Sequence, residues 1–428
     1  MANADRRLLD ALSPYTGILH SCELVPARPR GGEIVIAQAN LAAVESALGL
    51  PERSGAYRGA GARLLGAMRS AMGEAIERYA MSWLAPDQLV HASAEELGSL
   101  AADPDEFILF DDRQYLNRRF PFARFDRARP IDWVRGFRVR DRSPAYIPLD
   151  KVCVSRPWVP PRLDYVTTSG MASRPTMDEA VVRGLLEVLE RDAFMIAWYS
   201  RLSLPVIEWD LAEPLAVACH RWLPPGASTS LIDLSAFHDL PTVIAVTRAL
   251  SPDPIRFTLG GGCALTIEDA CVRALSEACA ARSWLHNESF NVPAGPEAIT
   301  DVQHHAQYYA DPDRVSVLDF IDASSELRRA SDIVGVPGGT DEEILAALVA
   351  RVERAGSTCY AVDMTPPDVR ENRLSVVQVV CPGLQPLDPS YWARHFGGRR
   401  LFTAACTAGL RDTPLRWEDL SPDPHPFP

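Results

Sequence analysis

At 428 residues, 47% hydrophobic and 23% charged, the chain has globular composition and room for one large domain or several ordinary ones. Its net charge of −13 excludes a general nucleic-acid binder, whose footprint is basic. No run approaches a membrane span, the opening MANADRRLLDALSPYTG lacks the apolar core of a signal peptide, and nine cysteines without a Cys-x-x-Cys pair read as reduced, mostly buried thiols. A soluble, cytoplasmic protein is expected.

Lys151 is the only lysine, and arginine supplies every other fixed positive charge. No glycine loop precedes Lys151 in LDKVCV, which excludes a Gly-Lys-Ser/Thr phosphate loop and the kinase signature set. Arginines and metal ions must hold any nucleotide phosphates.

Residues 1–60 read as an irregular N-terminal segment, with a turn at Pro14 to Gly17 before a strand (13–25) and a second strand in EIVIAQANL (33–41). RGAGAR (58–63) reads as a glycine loop opening a helix over roughly 63–84, where Leu64, Met68, Met72, Ile76 and Tyr79 recur at helical spacing. The proline- and aromatic-rich stretch 85–165 reads as strands and loops, including FILF (107–110) and AYIPL (145–149). TTSGMASRP (167–175) reads as a turn-rich loop before a second helix with a Thr176/Glu179 capping box. SLIDLSAF (230–237) and TVIAVTRAL (242–250) are consecutive strands, and FTLGGGCALT (257–266) breaks into glycine before a third helix (269–285). Beyond 286, an amphipathic helix (341–356) and strands in TCYAVDMT (358–365) and LSVVQVVCPGLQPL (374–387) suggest an α/β segment. The tail SPDPHPFP (421–428) alternates proline in polyproline-II fashion, and disorder is the default for such an end.

Two stretches stand out: RSAMGEAIERY (69–79) and RGLLEVLERD (183–192) each contain Glu-x-x-Glu-Arg, as Glu74, Glu77, Arg78 and Glu187, Glu190, Arg191. Helical i, i+3 spacing puts each carboxylate pair on one face, and adjacent carboxylates repel unless a cation or proton lies between them. Two such helices face to face would make a four-carboxylate cage suited to Mg²⁺ rather than zinc. One copy alone reads more readily as a solvated amphipathic face; repetition within equally apolar frames favours the site. RALSEACAAR (273–282) is a third, looser copy with Glu277 and Arg282. With Ser70 just ahead of the first pair, this set could serve phosphoryl transfer, which needs metal ions and positioned donors. Other constellations are weaker. No His-Glu-x-x-His occurs, His304 and His305 read as surface or loop residues, and Cys271, Cys279, Trp198 and Tyr199 read as packing.

SAMGEAIERY (70–79), GLLEVLERDAF (184–194), GGGCALTIEDACVRALSEA (260–278), AVDMTPPDVRENRLSVVQVVCPGLQPL (361–387) and the terminal PHPFP (424–428) together resemble the YcaO family across nearly the whole chain. SPYTGIL and the proline-alternating end resemble, more narrowly, the cyclodehydratase D proteins of thiazole/oxazole-modified (RiPP) peptide biosynthesis. The resemblance implies one α/β (α+β) YcaO domain over 1–428, with mixed sheets, repeated strand–loop–helix units and an ATP/Mg²⁺ site between helices. Residues 61–285 would form the nucleotide-binding core, 286–420 a C-terminal α/β part and 421–428 the tail. It implies ATP-dependent cyclodehydration of Cys, Ser or Thr in a ribosomal precursor peptide to thiazoline or oxazoline, by phosphorylation of the backbone amide oxygen. Carried over by motif, Glu74, Glu77, Glu187 and Glu190 would bind Mg²⁺. Ser70, Arg78, Ser169, Arg191, Glu277 and Arg282 would serve ATP, and the Pro428 carboxylate would assist proton transfer. The chain departs from the family pattern at Ser169, where asparagine is common, at Ala60, where many relatives place lysine, and at Ala280, a common glutamine. Expected partners are the precursor peptide, a separate leader-binding protein of ubiquitin-activating type, a flavin dehydrogenase and a second copy of the chain, with no nucleic acid and no membrane. Two alternatives stand beside this reading: a YcaO enzyme making thioamide or amidine, and a nucleotide-dead YcaO scaffold that docks precursor and partner.

Overall fold

The computed structural model describes the chain apart from residues 1, 16, 26–33, 43–54, 62, 108, 153, 156–160, 210–220, 224–225, 250–252, 288 and 428. The described strands fall into three sheets. β1 (Leu19–Val25), β2 (Val35–Leu41) and β3 (Ala56–Gly61) pair antiparallel in chain order. A six-stranded sheet contains β4 (Leu89–Ala92), β5 (Ile131–Arg138), β6 (Pro144–Pro148), β7 (Met171–Arg174), β13 (Tyr360–Asp363) and β14 (Ser375–Val380). Its order is β4-β5-β13-β14-β7, with β6 on β5. The third sheet runs β11-β10-β9-β8-β12, from β8 (Val206–Glu208), β9 (Ala227–Asp233), β10 (Thr242–Ala249), β11 (Phe257–Cys263) and β12 (Leu327–Arg329).

Numbering only helices of seven residues or more, α1 is Ala2–Asp10, α2 Leu64–Ala80, α3 Met177–Tyr199, α4 Ile267–Asn287, α5 Val302–Tyr308, α6 Asp341–Arg354 and α7 Arg399–Thr407. α2 lies on β2 and β3, α4 on β10 and β11, and α3 between β7/β14 and β11. The second half of α3, Asp192 to Tyr199, is buried at every position, because a helix apolar on all sides belongs inside. Its start follows the sequence: the Thr176 hydroxyl accepts from the Glu179 backbone N–H at 3.2 Å.

The glycine stretches are strands, which corrects the sequence reading of glycine loops opening the helices. RGAGAR lies largely in β3, the GGG run is the centre of β11, and MASR of the 167–175 stretch is β7. Strand alternation explains the spacing. A Cβ on Gly59 would sit 2.1 Å from the Ala71 nitrogen of α2, and one on Gly61 2.8 Å from the Ala67 nitrogen. In β11, a Cβ on Gly260 would lie 2.3 Å from the Ala278 nitrogen, and one on Gly262 2.1 Å from the Ala270 oxygen. Backbone thus rests directly on helix backbone in both units. In FILF, Phe107 closes the short helix Pro104–Phe107, and Ile108 lies outside the described residues.

The tail is buried. Pro424, His425, Pro426 and Phe427 are all inaccessible, contrary to the default of disorder. Tyr309 Oη donates to the Pro424 carbonyl (2.6 Å) and Trp198 Nε1 to the Asp423 carbonyl (3.2 Å). His305, expected at the surface, is 0% exposed on α5 and stacks on His425 with centroids 3.8 Å apart.

Gly59→Ala and Gly260→Ala should each destabilise the protein by about 1–3 kcal/mol or more through overpacking. Gly66→Ala, on α2 with nothing near its Cβ position, should raise stability by roughly 0.5–1 kcal/mol. Urea midpoints of the three variants measure both signs.

Candidate nucleotide and metal site

The structure brings five glutamates from three helices to one place: Glu74 and Glu77 on α2, Glu187 and Glu190 on α3, and Glu277 on α4. Three of them are held by strand backbone. The Ser173 N–H of β7 donates to Glu77 Oε1 (2.8 Å), the Cys263 N–H of β11 to Glu190 Oε2 (2.8 Å), and the Gly261 N–H to Glu277 Oε2 (2.5 Å). Gly261 has no room for a side chain: a Cβ would stand 2.6 Å from Glu190 Oε1 and 2.9 Å from Phe427 Cζ.

Arg191 is the cationic hub. Its Nη1 lies 2.8 Å from Glu190 Oε1, a charge contact rather than an aligned hydrogen bond, and its Nη2 lies 3.6 Å from Glu277 and 3.8 Å from Glu187. The guanidinium carbon sits 4.0 Å over the Phe427 ring, so the tail closes one side of the hub. Arg78 pairs with Glu74 one turn away on α2.

Arg191, with Arg78, Arg174 and Arg183 nearby, does not offset the burial of this charge. Burial, then Glu74, pushes the Glu77 carboxyl up to about 8 against the opposing pull of Arg174. Burial likewise pushes Glu277 up to about 7, despite Arg191. Glu187 is raised by burial, with Arg191 and Arg183 opposing. Buried, mutually repelling carboxylates are what a hard divalent ion relieves, and every donor here is oxygen. Among the described residues, no three Asp, Glu, His or Cys side chains already form a closed metal cluster. The four glutamates of the expected cage therefore do not stand as a closed cluster among the described residues. That suits Mg²⁺, which commonly takes one or two carboxylates and completes its shell with phosphate oxygens and water.

The remaining expected residues divide. Ser70 is exposed on α2 one turn before Glu74, above β3. Ser169 lines a cavity shared with Arg191. Arg282 is 1% exposed on α4; its Nη1 donates to Asp253 Oδ2 (2.9 Å) and the Ile255 carbonyl (2.8 Å), so it sits apart from the Arg191 contacts. Pro428 lies outside the described residues. A separate cavity of about 300 Å³ lies between the first sheet and α4, bordered by Ile36, Arg58, Glu277, Ala280, Trp284 and Asn287.

Sequence reasoning missed the strand N–H donors, which no residue type announces, and a buried network beyond Arg191. There His395 Nδ1 meets Asp388 Oδ1 at 2.6 Å and Nε2 meets Asp164 Oδ1 at 3.0 Å, while Lys151 pairs with Asp164 and the Tyr199 hydroxyl with Asp388. Burial opposes charge on His395, but Asp164 and Asp388 outweigh it and lift the imidazole to about 9. Burial likewise would raise Asp164, but Lys151 and His395 hold it down at about 2.

This network has a definite pH signature. The His395 contribution is complete below an ordinary histidine value of about 6.5 and is lost as pH rises towards 9. The Asp164 contribution is complete above about 4 and is lost as pH falls towards 2. Melting temperature should decline between pH 6.5 and 9 in the wild type, with that decline flattened in His395→Gln.

The family described as YcaO cyclodehydratase, ATP- and Mg²⁺-binding, matches residues 58–385. An uncharacterised protein of Methanothermobacter thermautotrophicus is 26% identical over 347 residues, covering 77% of this chain and 81% of that protein. A heterocyclase solved in complex with substrate and cofactor superposes with a TM-score of 0.81 at 22% identity, over 99% of this chain and 57% of that one. The heterocyclase TruD gives 0.67 at 26% identity, over 84% of this chain and 50% of that one. The YcaO protein of Methanopyrus kandleri, bound with AMPPCP and Mg²⁺, gives 0.63 at 22% identity over 86% of either chain. The chain thus spans little more than half the length of the two heterocyclases. With most of its length matched and its fold shared, the chain belongs to the YcaO family.

Proposed function

We propose that the protein is an ATP- and Mg²⁺-dependent heterocyclase that converts Cys, Ser or Thr residues of a ribosomal precursor peptide to azolines, together with a separate leader-binding partner. The observation that carries this reading is the gathering of five glutamates from three helices, three of them on Arg191, which the tail residue Phe427 closes on one side. Nucleotide-dead scaffolding gives no reason to keep that much buried negative charge together.

Bound ATP with Mg²⁺ supplies the phosphoryl group that makes an amide oxygen a leaving group. The chain's own residues do the rest. Glu74, Glu77, Glu187 and Glu190 hold the metal from the protein side. Arg191, already shared among three carboxylates, keeps a positive charge beside the transferring group. The 300 Å³ cavity fits the base and ribose, with apolar walls from Ile36, Ala280 and Trp284 and polar groups from Arg58 and Asn287. Phe427 and the strand N–H donors fix these side chains before anything binds, which lowers the reorganisation cost of the chemical step.

Incubation with Mg-ATP, precursor peptide and partner should remove one water from the peptide for each residue modified, read by mass spectrometry. Glu187→Gln should abolish the loss. Unchanged peptide mass with a wild-type chain that binds no Mg-ATP in calorimetry would favour the scaffold reading instead.

A further inference from the structure

A second cavity, with room for about 80 Å³, is lined by Ser169, Val188 and Arg191 together with Lys151, Asp164 and His395. A single water needs roughly 10–15 Å³ of such room, so the space takes a few waters or one small side chain. Its remaining wall is largely the loop Pro382–Pro386. That loop is fixed from beneath, since the Gln385 N–H donates to Asp192 Oδ1 (2.7 Å) and the Gln385 side chain donates to the His395 carbonyl (2.8 Å).

The polar end of the cavity is costly to keep. Lys151, Asp164 and His395 have side chains 14%, 1% and 2% exposed, and burying such groups loses hydration that a well-packed apolar cluster would not forfeit. Asp164 is saturated by Lys151, His395 and the Tyr165 N–H. Lys151 is not: an ammonium has three N–H bonds, and Asp164 is its one partner among the described residues. Its remaining donors border the cavity. The same network supports the tail, because the Asp388 carbonyl contacts His425 Nε2 at 3.1 Å, two residues before the Phe427 ring that lies under Arg191.

We propose that this cavity seats the reacting residue of the peptide, with the thiol or hydroxyl accepting a hydrogen bond from Lys151 and the preceding amide turned towards Arg191. The proposal rests on the heterocyclase reading and adds to it a determinant of which side chains are processed. Three features set the selection. The volume admits the small side chains of Cys, Ser or Thr. Lys151, His395 and Arg191 repel a cationic guest. A branched apolar guest would leave the Lys151 donors buried without an acceptor, an expensive outcome. Lys151 is assigned binding and positioning only; no proton or bond passes through it.

The test uses the wild-type chain with Mg²⁺ and AMPPCP, and acetylated tripeptide amides Ala-Cys-Gly, Ala-Ser-Gly, Ala-Leu-Gly and Ala-Lys-Gly at millimolar concentration. Saturation-transfer NMR reports peptide binding, and calorimetry reports AMPPCP binding in the same samples. The Cys and Ser peptides should show transfer and the Leu and Lys peptides little. Val188→Phe, which fills the cavity, should remove the Cys and Ser signals while AMPPCP affinity stays within about twofold. Lys151→Met should weaken the Cys and Ser peptides about tenfold, the scale of a lost charged donor, and admit the Leu peptide. Equal signals for all four peptides, no signal for any, or full Cys-peptide binding in Val188→Phe would each overturn the proposal. Failure of the nucleotide reading shows separately, as absent AMPPCP heat in the wild type.

Discussion

Crowded negative charge is the constraint around which this structure is arranged. Five carboxylates are gathered together, and burial pushes two of them, Glu77 and Glu277, up to about 8 and about 7. Such a cluster survives only if each member is held by something stronger than its repulsion. Strand N–H groups from β7 and β11 and the Arg191 guanidinium do this. The strands must therefore run close against the helices that carry the acids, and only glycine permits the approach at Gly261. The glycine runs are accordingly a packing requirement of the charge cluster rather than loops for phosphate.

The tail shows the same logic in reverse. Proline lacks an N–H, so a proline-alternating segment cannot join a sheet and is ordinarily left in solvent. Its carbonyls can still accept, however, and the residues between the prolines can still pack. Tyr309 and Trp198 satisfy two of those carbonyls, His425 stacks on His305, and Phe427 packs on Phe194 with centroids 4.8 Å apart. A stiff segment has little entropy left to lose, so these few contacts suffice to hold it beside Arg191.

The elements with strong periodicity were legible in the sequence. The helices α2, α3 and α4, the Thr176 cap and the strands β9 and β10 follow from apolar spacing and helix-start signals. The two Glu-x-x-Glu-Arg copies were legible as a pair because the motif repeats. Glycine was misread because the same residue serves a loop that nears a ligand and a strand that nears a helix; only the partner, absent from a one-dimensional string, decides between them. His305 was misread because its burial depends on a tail more than a hundred residues away. Lys151 carried a signal in its uniqueness, but its partners Asp164 and His395 are spread across the chain, and no spacing rule connects them.

The third helical frame shows how one repeated pattern yields two different surfaces. Aligned on their opening arginines, Arg183 and Arg273, the second and third frames both place a glutamate four residues on, at Glu187 and Glu277. At the following turn the second frame has Glu190 and Arg191, and the third has Ala280 and Ala281. In α3 those two long side chains fill the space beside β11 and knit the charge cluster. In α4 the alanines leave that space open, and it is there that the 300 Å³ cavity is found, with Glu277 at its edge. The replacement of an acid and a base by two methyl groups thus turns a helix that knits the charge cluster into one wall of a pocket, while the shared glutamate keeps the pocket joined to that cluster.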